Sequence, residues 1–130
     1  MSQEIIEASL ERVADQLGDI SDPVYARFYA ASPAAEGLMS HLDPLARGKM
    51  MEEILRLLMT EDMSGESEYL DFETKTHREA YFVAETMYEP LMAAVLDTIR
   101  EGDPEWDDAV ANAWQTRVGA VLEGFTSRFA

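Results

Sequence analysis

Apolar residues return along this chain every three or four positions, the spacing of helices that each bury one face. Ile6, Leu10, Val13 and Leu17 form such a stripe, with Glu4, Glu7, Glu11 and Asp15 on other faces, and Gly18 ends it. Ser21-Asp22-Pro23 supplies an N-cap followed by proline at the first helical position, opening a second helix made aromatic on one side by Val24, Tyr25, Phe28 and Tyr29. That helix should stop by Ser32, because a residue before proline is pushed out of the α region. Ser32-Pro33 and Asp43-Pro44 repeat the device. They predict a short helix through Leu38 and Met39, then a longer one from Pro44 to about Thr60 whose buried stripe is Met51, Ile54, Leu55 and Leu58.

The polar run from Glu61 to Glu68 predicts a loop, and Tyr69 to Tyr81 a shorter helix. Val83, Met87, Leu91, Ala94, Val95 and Ile99 predict a long helix with Pro90 in its first turn or at a kink, since an interior proline costs about 3 kcal/mol. Gly102-Asp103-Pro104 stops it and starts a last helix along Val110, Trp114, Val118, Val121, Phe125 and Phe129. Nothing alternates with period two, so the fold is all-α. Six or seven helices of unequal length are not a simple four-helix bundle.

The 130 residues make one domain, long enough to bury about two-thirds of the unfolded surface. No apolar run approaches the roughly 20 residues that span a bilayer, and the acidic N-terminus lacks the basic segment of a secretory signal. The absence of cysteine excludes disulfides and thiolate chemistry and fits a cytoplasmic protein. A net charge of −16, from 10 basic against 26 acidic residues, argues against nucleic acid and anionic membrane as partners. It reads as solubility.

Among side chains that could hold a metal or cofactor, His77 stands first, on the segment Phe72-Glu-Thr-Lys-Thr-His77-Arg-Glu-Ala-Tyr-Phe82-Val83. The other histidine, His41, lies between two predicted helices, where a solvated loop histidine is expected. Glu73 precedes His77 by four residues, but no Glu-x-x-His pair of a dinuclear carboxylate site is present. Asp107-Asp108 and Glu52-Glu53 read as solvated helix faces. There is no Gly-rich phosphate loop and no nucleophile–base pattern, so catalytic residues are not assigned.

Three segments carry a family resemblance. Tyr25-Ala-Arg-Phe-Tyr-Ala-Ala-Ser-Pro33 resembles the B helix of globins running into the proline of the C helix; His77 with the apolar Phe82 and Val83 and the long helix beyond resembles the proximal side; Asp108-Ala-Val-Ala-Asn-Ala-Trp114 resembles the Ala-Trp segment of the H helix. His77 and Trp114 fall in register without a gap. The chain is similar to bacterial single-domain globins and the globin part of flavohaemoglobins over nearly its whole length.

That resemblance implies a globin fold of six to eight helices around a haem pocket, with haem b as cofactor. It places His77 as the proximal ligand of the iron and Tyr25 as the distal hydrogen-bond donor to bound oxygen. It puts Arg47 near the distal E-helix position and Met51 one turn later if a two-residue gap is allowed, and Phe82 against the porphyrin from the corner after the proximal helix. Met39 stands where the family has a haem-stacking phenylalanine. The tyrosine and glutamate that support the proximal histidine in flavohaemoglobins fall on Met87, with Tyr88 beside it, and on Phe129. Lys49, Arg47 and Arg78 are the cations for the propionates, and Trp114 is a packing residue. The implied function is reversible binding of oxygen or another diatomic gas, with a homodimer and an external electron donor as further partners the resemblance allows. With no flavin or nicotinamide domain, NO dioxygenation would need an external reductase. The alternative is a haem-free globin fold serving as a sensor or protein-interaction domain.

Overall fold

The computed structural model describes residues 2–81 and 83–129. Its described residues form seven α-helices: α1 (Ser2–Leu17), α2 (Ser21–Ala31), α3 (Pro33–Met39), α4 (Pro44–Leu58), α5 (Ser67–Ala80), α6 (Tyr88–Gly102) and α7 (Asp108–Thr126). Short 3-10 turns at Met63–Glu66, Glu85–Met87 and Ser127–Phe129 lead into α5, into α6 and out of α7. No helix among the described residues is long and apolar enough to cross a membrane.

Two of the four cap-plus-proline signals work as the sequence suggests. The Ser32 side chain accepts from the Ala35 N–H and the Asp43 side chain from the Ala46 N–H, at 3.4 and 2.8 Å, each satisfying one orphan donor of a helix start. The other two signals are displaced. Helix α2 begins at Ser21 itself, its N–H held by Asp19 at 2.9 Å, so Pro23 sits inside the first turn, where no donor is missed. Helix α7 begins only at Asp108, capped by Asp107, which accepts from the Val110 N–H at 2.9 Å. Asp103 is not that cap because its carboxylate is committed elsewhere. Val83 also lies before α6 rather than in it, and the helix starts at Tyr88, which places Pro90 in the first turn as required. Gly18 takes φ +67 after α1, a left-handed conformation that costs glycine nothing.

Helix α6 runs through the centre and packs against α2, α7 and α1. Its Met92, Val95 and Ile99, spaced by three and four, are buried. They meet Ile6 and Val13 of α1, Val24 and Phe28 of α2, and Trp114, Val118 and Val121 of α7 in one core. Each such side chain contributes about 1.5–3 kcal/mol on burial. Arg27 of α2 bridges to α6 through Thr98 at 2.7 Å and through Glu101.

Two polar clusters fix the helices that the core alone would leave free to slide. The Asp103 side chain, wholly shielded from solvent, accepts from Ser9 at 2.6 Å, from Arg12 Nε and Nη2 at 2.7 and 2.9 Å, and from the Glu105 N–H at 2.9 Å. Ser9 in turn accepts from the Trp114 indole N–H at 2.8 Å. Trp114 is thus a packing residue with a satisfied polar edge.

In the second cluster the buried Arg117 guanidinium donates to the Leu58 carbonyl at 2.7 Å and to Gln3 at 2.8 Å, while Gln3 donates to the Met59 carbonyl at 2.7 Å. A cation on the last carbonyls of α4 meets the negative end of that helix. Arg117→Leu is expected to cost about 2–3 kcal/mol, the worth of a charged hydrogen-bond donor to otherwise unsatisfied buried acceptors. In a urea titration the midpoint should fall while the slope stays unchanged; an unmoved midpoint would contradict this clamp.

Candidate functional site

Side chains of α4, α5, α6 and α7 line a cavity of about 370 Å³, within the roughly 300–1,000 Å³ of small-molecule sites. Helix α4 contributes Lys49, Met50, Glu53, Ile54 and Leu57; α5 contributes Tyr69, Glu73 and His77; α6 contributes Tyr88, Leu91 and Met92; α7 contributes Phe125. A second chamber of about 80 Å³ adjoins it, with Phe28, Ala35, Leu38, Met39, Val83 and Met87 in its wall. Met50, His77, Tyr88 and Leu91 belong to both walls. The imidazole therefore stands where the two spaces meet.

His77 reaches this place because it is in the last turn of α5, where the helix turns its inner face to α6 and α7. The ring packs against Tyr88 and Phe125, with centroids 6.0 and 6.3 Å away, and Tyr88 stacks on Phe125 at 4.9 Å. His77 Nδ1 and the Tyr88 hydroxyl are 2.9 Å apart. On the other side of the ring, Glu73 Oε2 lies 3.5 Å from Nε2. Burial lowers the His77 pKa, partly opposed by the Glu73 carboxylate, a shift toward the neutral ring that a metal ligand needs. Burial raises the Tyr88 pKa, reinforced by Glu73, which keeps that phenol protonated. Tyr69 is likewise pushed up to about 12, first by burial and then by Glu53.

The residues expected from sequence distribute unevenly around this site. His77 is in it, and Met39 lines the small chamber, its sulfur 3.9 Å from the Tyr29 hydroxyl. Tyr25 is buried, and its hydroxyl donates to the Arg47 carbonyl at 2.9 Å. Neither Tyr25 nor Arg47 is among the residues lining the two spaces. Met51 is buried in the core together with Leu58, one face round α4 from the cavity wall. Met50, Ile54 and Leu57, again at i, i+4 and i+7, form that wall instead. Phe82 lies outside the described residues. Val83 is in the wall of the small chamber.

The sequence sets the supporting tyrosine position on Met87 with Tyr88 next to it, and it is Tyr88 that partners His77. The 3-10 turn Glu85–Met87 rotates the chain so that Tyr88 opens α6 facing the imidazole. Phe129, at the expected glutamate position, meets Tyr88 edge-on at 5.6 Å, and the carboxylate of the site comes from Glu73 on α5. The i, i+4 spacing of Glu73 and His77 was the available signal. His41 falls in the turn between α3 and α4 and is exposed.

The donor set suits haem. One imidazole has its Nδ1 within hydrogen-bond distance of a partner, the Tyr88 hydroxyl, as ligating histidines do. The walls around it are mostly aliphatic, thioether and aromatic, and they also carry Lys49 and the carboxylates of Glu53 and Glu73. Among the described residues no group of three or more histidine, cysteine, aspartate or glutamate side chains could hold a bare metal ion.

No protein-family model and no curated protein matches the chain. Among solved structures, a protein from Pseudomonas aeruginosa PAO1, described as structurally highly homologous to a human hemoglobin, is similar at a TM-score of 0.82. The likeness covers 100% of this chain and 99% of that one at 20% sequence identity. An identity so low carries architecture rather than chemistry, and the architecture this chain shares with that protein is a globin-like helical fold.

Proposed function

We propose that this chain is a haem-binding globin that reversibly holds oxygen or another diatomic gas, with His77 as the proximal ligand. The observation that carries the reading is the placement of His77, an imidazole lining two adjoining and largely apolar spaces, with its Nδ1 2.9 Å from the Tyr88 hydroxyl. Haem would supply the iron that binds the gas. The chain's own part is to exclude water with Ile54, Leu57, Leu91, Met92 and Phe125, to orient the imidazole through Tyr88, and to meet a propionate with Lys49.

Tyr25 would serve as distal donor only by exchanging its bond to the Arg47 carbonyl for one to the gas. That bond favours, as the second reading, a haem-free globin fold used as a sensor or interaction domain. Titration of the purified chain with haemin separates the two. One equivalent should give an intense Soret band and a histidine-ligated spectrum, and the reduced protein should bind carbon monoxide reversibly. A chain that leaves haemin in its free spectrum would sink the first reading and leave the second.

A further inference from the structure

We propose that Arg56 is a strap across the mouth of the larger cavity, a positioning residue that ties α5 to α4 and so limits how fast a ligand enters and leaves. For the identity of that ligand the inference rests on the haem reading above. The cavity is deep at Leu57, Tyr88, Met92 and Phe125, which are buried, and it meets solvent where Lys49 and Glu53 are exposed and Tyr69 and Glu73 half-buried. Its rim is therefore shared by α4 and α5. Arg56 is not among the lining residues. Its guanidinium joins the two helices just outside them.

Arg56 Nε donates at 3.1 Å to Glu53 Oε2, on the α4 side of the rim, and Nη1 donates at 2.9 Å to Glu66 Oε1, in the 3-10 turn that leads into α5. The same guanidinium lies over the Tyr69 ring, 4.7 Å from its centre, on the α5 side. One cation thus holds two carboxylates and an aromatic face drawn from both edges of the opening. The main packing of the two helices lies elsewhere: α4 rests on α7 and α2, and α5 on α7 and on the turns at Met63–Glu66 and Ser127–Phe129. Widening the mouth at this end therefore breaks the contacts of one side chain and leaves the core intact. The Arg56 side chain is 41% exposed, so each contact is weak by itself. That suits a fastening that opens for ligand exchange. Of its three partners, only Glu66 can be altered without touching the cavity wall.

The test compares wild type with Arg56→Leu, Arg56→Lys, Glu66→Gln and the Arg56→Leu, Glu66→Gln double variant. Arg100→Gln, in the last turn of α6, controls for a lost surface charge. Stopped-flow mixing with haemin reads uptake, and transfer of haem to excess albumin reads release. Amide hydrogen exchange of the haem-free chain reads the strap with no ligand present. We expect uptake and release both to be about three- to tenfold faster in Arg56→Leu, so that affinity changes little, whereas loss of a direct ligand contact would raise release alone. Arg56→Lys should keep most of the acceleration, since lysine retains the charge without the planar fork. Glu66→Gln should lie between wild type and Arg56→Leu, the double variant should be no faster than Arg56→Leu, and Arg100→Gln should match wild type. Amides from Met63 to Tyr69 should exchange faster in Arg56→Leu and Glu66→Gln while those of α1 keep their rates. Unchanged exchange over that segment, an additive double variant, or unchanged uptake in chains that all give a Soret band overturns the strap and leaves the haem reading standing. Faster exchange there with no Soret band in any chain upholds the strap and overturns the haem reading.

Discussion

Asp103→Ala is expected to destabilise the fold by about 3–5 kcal/mol, the loss typical of removing one member of a buried ion pair. The Asp103 carboxylate is shielded completely and satisfies Ser9, Arg12 and the Glu105 N–H. Its removal strips partners from α1 and from the turn that precedes α7, and loosens Ser9 beneath the Trp114 indole. Against a total stability of about 5–15 kcal/mol for a domain, the variant should unfold at much lower urea.

The same residue gives a pH dependence with a definite sign. Burial alone would raise the Asp103 pKa, but the hydrogen bonds from Arg12, Ser9 and the Glu105 N–H outweigh it and the net shift is downward. A folded-state pKa below the unfolded one contributes stability that is complete above the ordinary carboxylate pKa, about 4. It is lost as pH falls through the folded value. Urea titrations across pH 7 to 2 should therefore show the gap between wild type and Asp103→Ala closing in acid. A gap that stays constant over that range would contradict the ion pair as its source.

His77→Ala is expected to weaken haemin binding by at least about a hundredfold, since loss of mere supporting groups around a metal ligand costs 10- to 100-fold. The cavity walls remain in this variant, so added imidazole should restore the histidine-ligated spectrum by entering the space the side chain leaves. His41→Ala should leave the spectrum as it is, because His41 is exposed in the α3–α4 turn. Retention of the spectrum in His77→Ala with its loss in His41→Ala would reassign the ligand.

The helices were legible in the sequence because they depend on local pattern, and His77 draws attention there as one of only two histidines. Periodicity marks which face of a helix is buried, and the two histidines leave few donors to choose from. Failures came where tertiary partners override a local signal. Asp103 has the form of an N-cap, yet Arg12 and Ser9 from a distant helix claim its oxygens. The apolar residues of α4 cover two faces, and periodicity cannot say whether Met50 or Met51 meets a cavity or a core. The pairing of Tyr88 with His77 depends on a 3-10 turn that no residue pattern announces. Tyr25 is buried, but the direction of its hydroxyl is set by the Arg47 carbonyl and not by anything in its own helix.

The 80 Å³ chamber beside His77, walled chiefly by Phe28, Ala35, Leu38, Met39, Met87 and Leu91, makes the volume of the protein a usable signal. Unfolding abolishes whatever part of that space water does not fill, so hydrostatic pressure pushes the chain toward the unfolded state. Any molecule that settles in the chamber removes that advantage. The pressure at which the fold gives way should then rise with occupancy, even for a gas atom that has no colour and makes no bond.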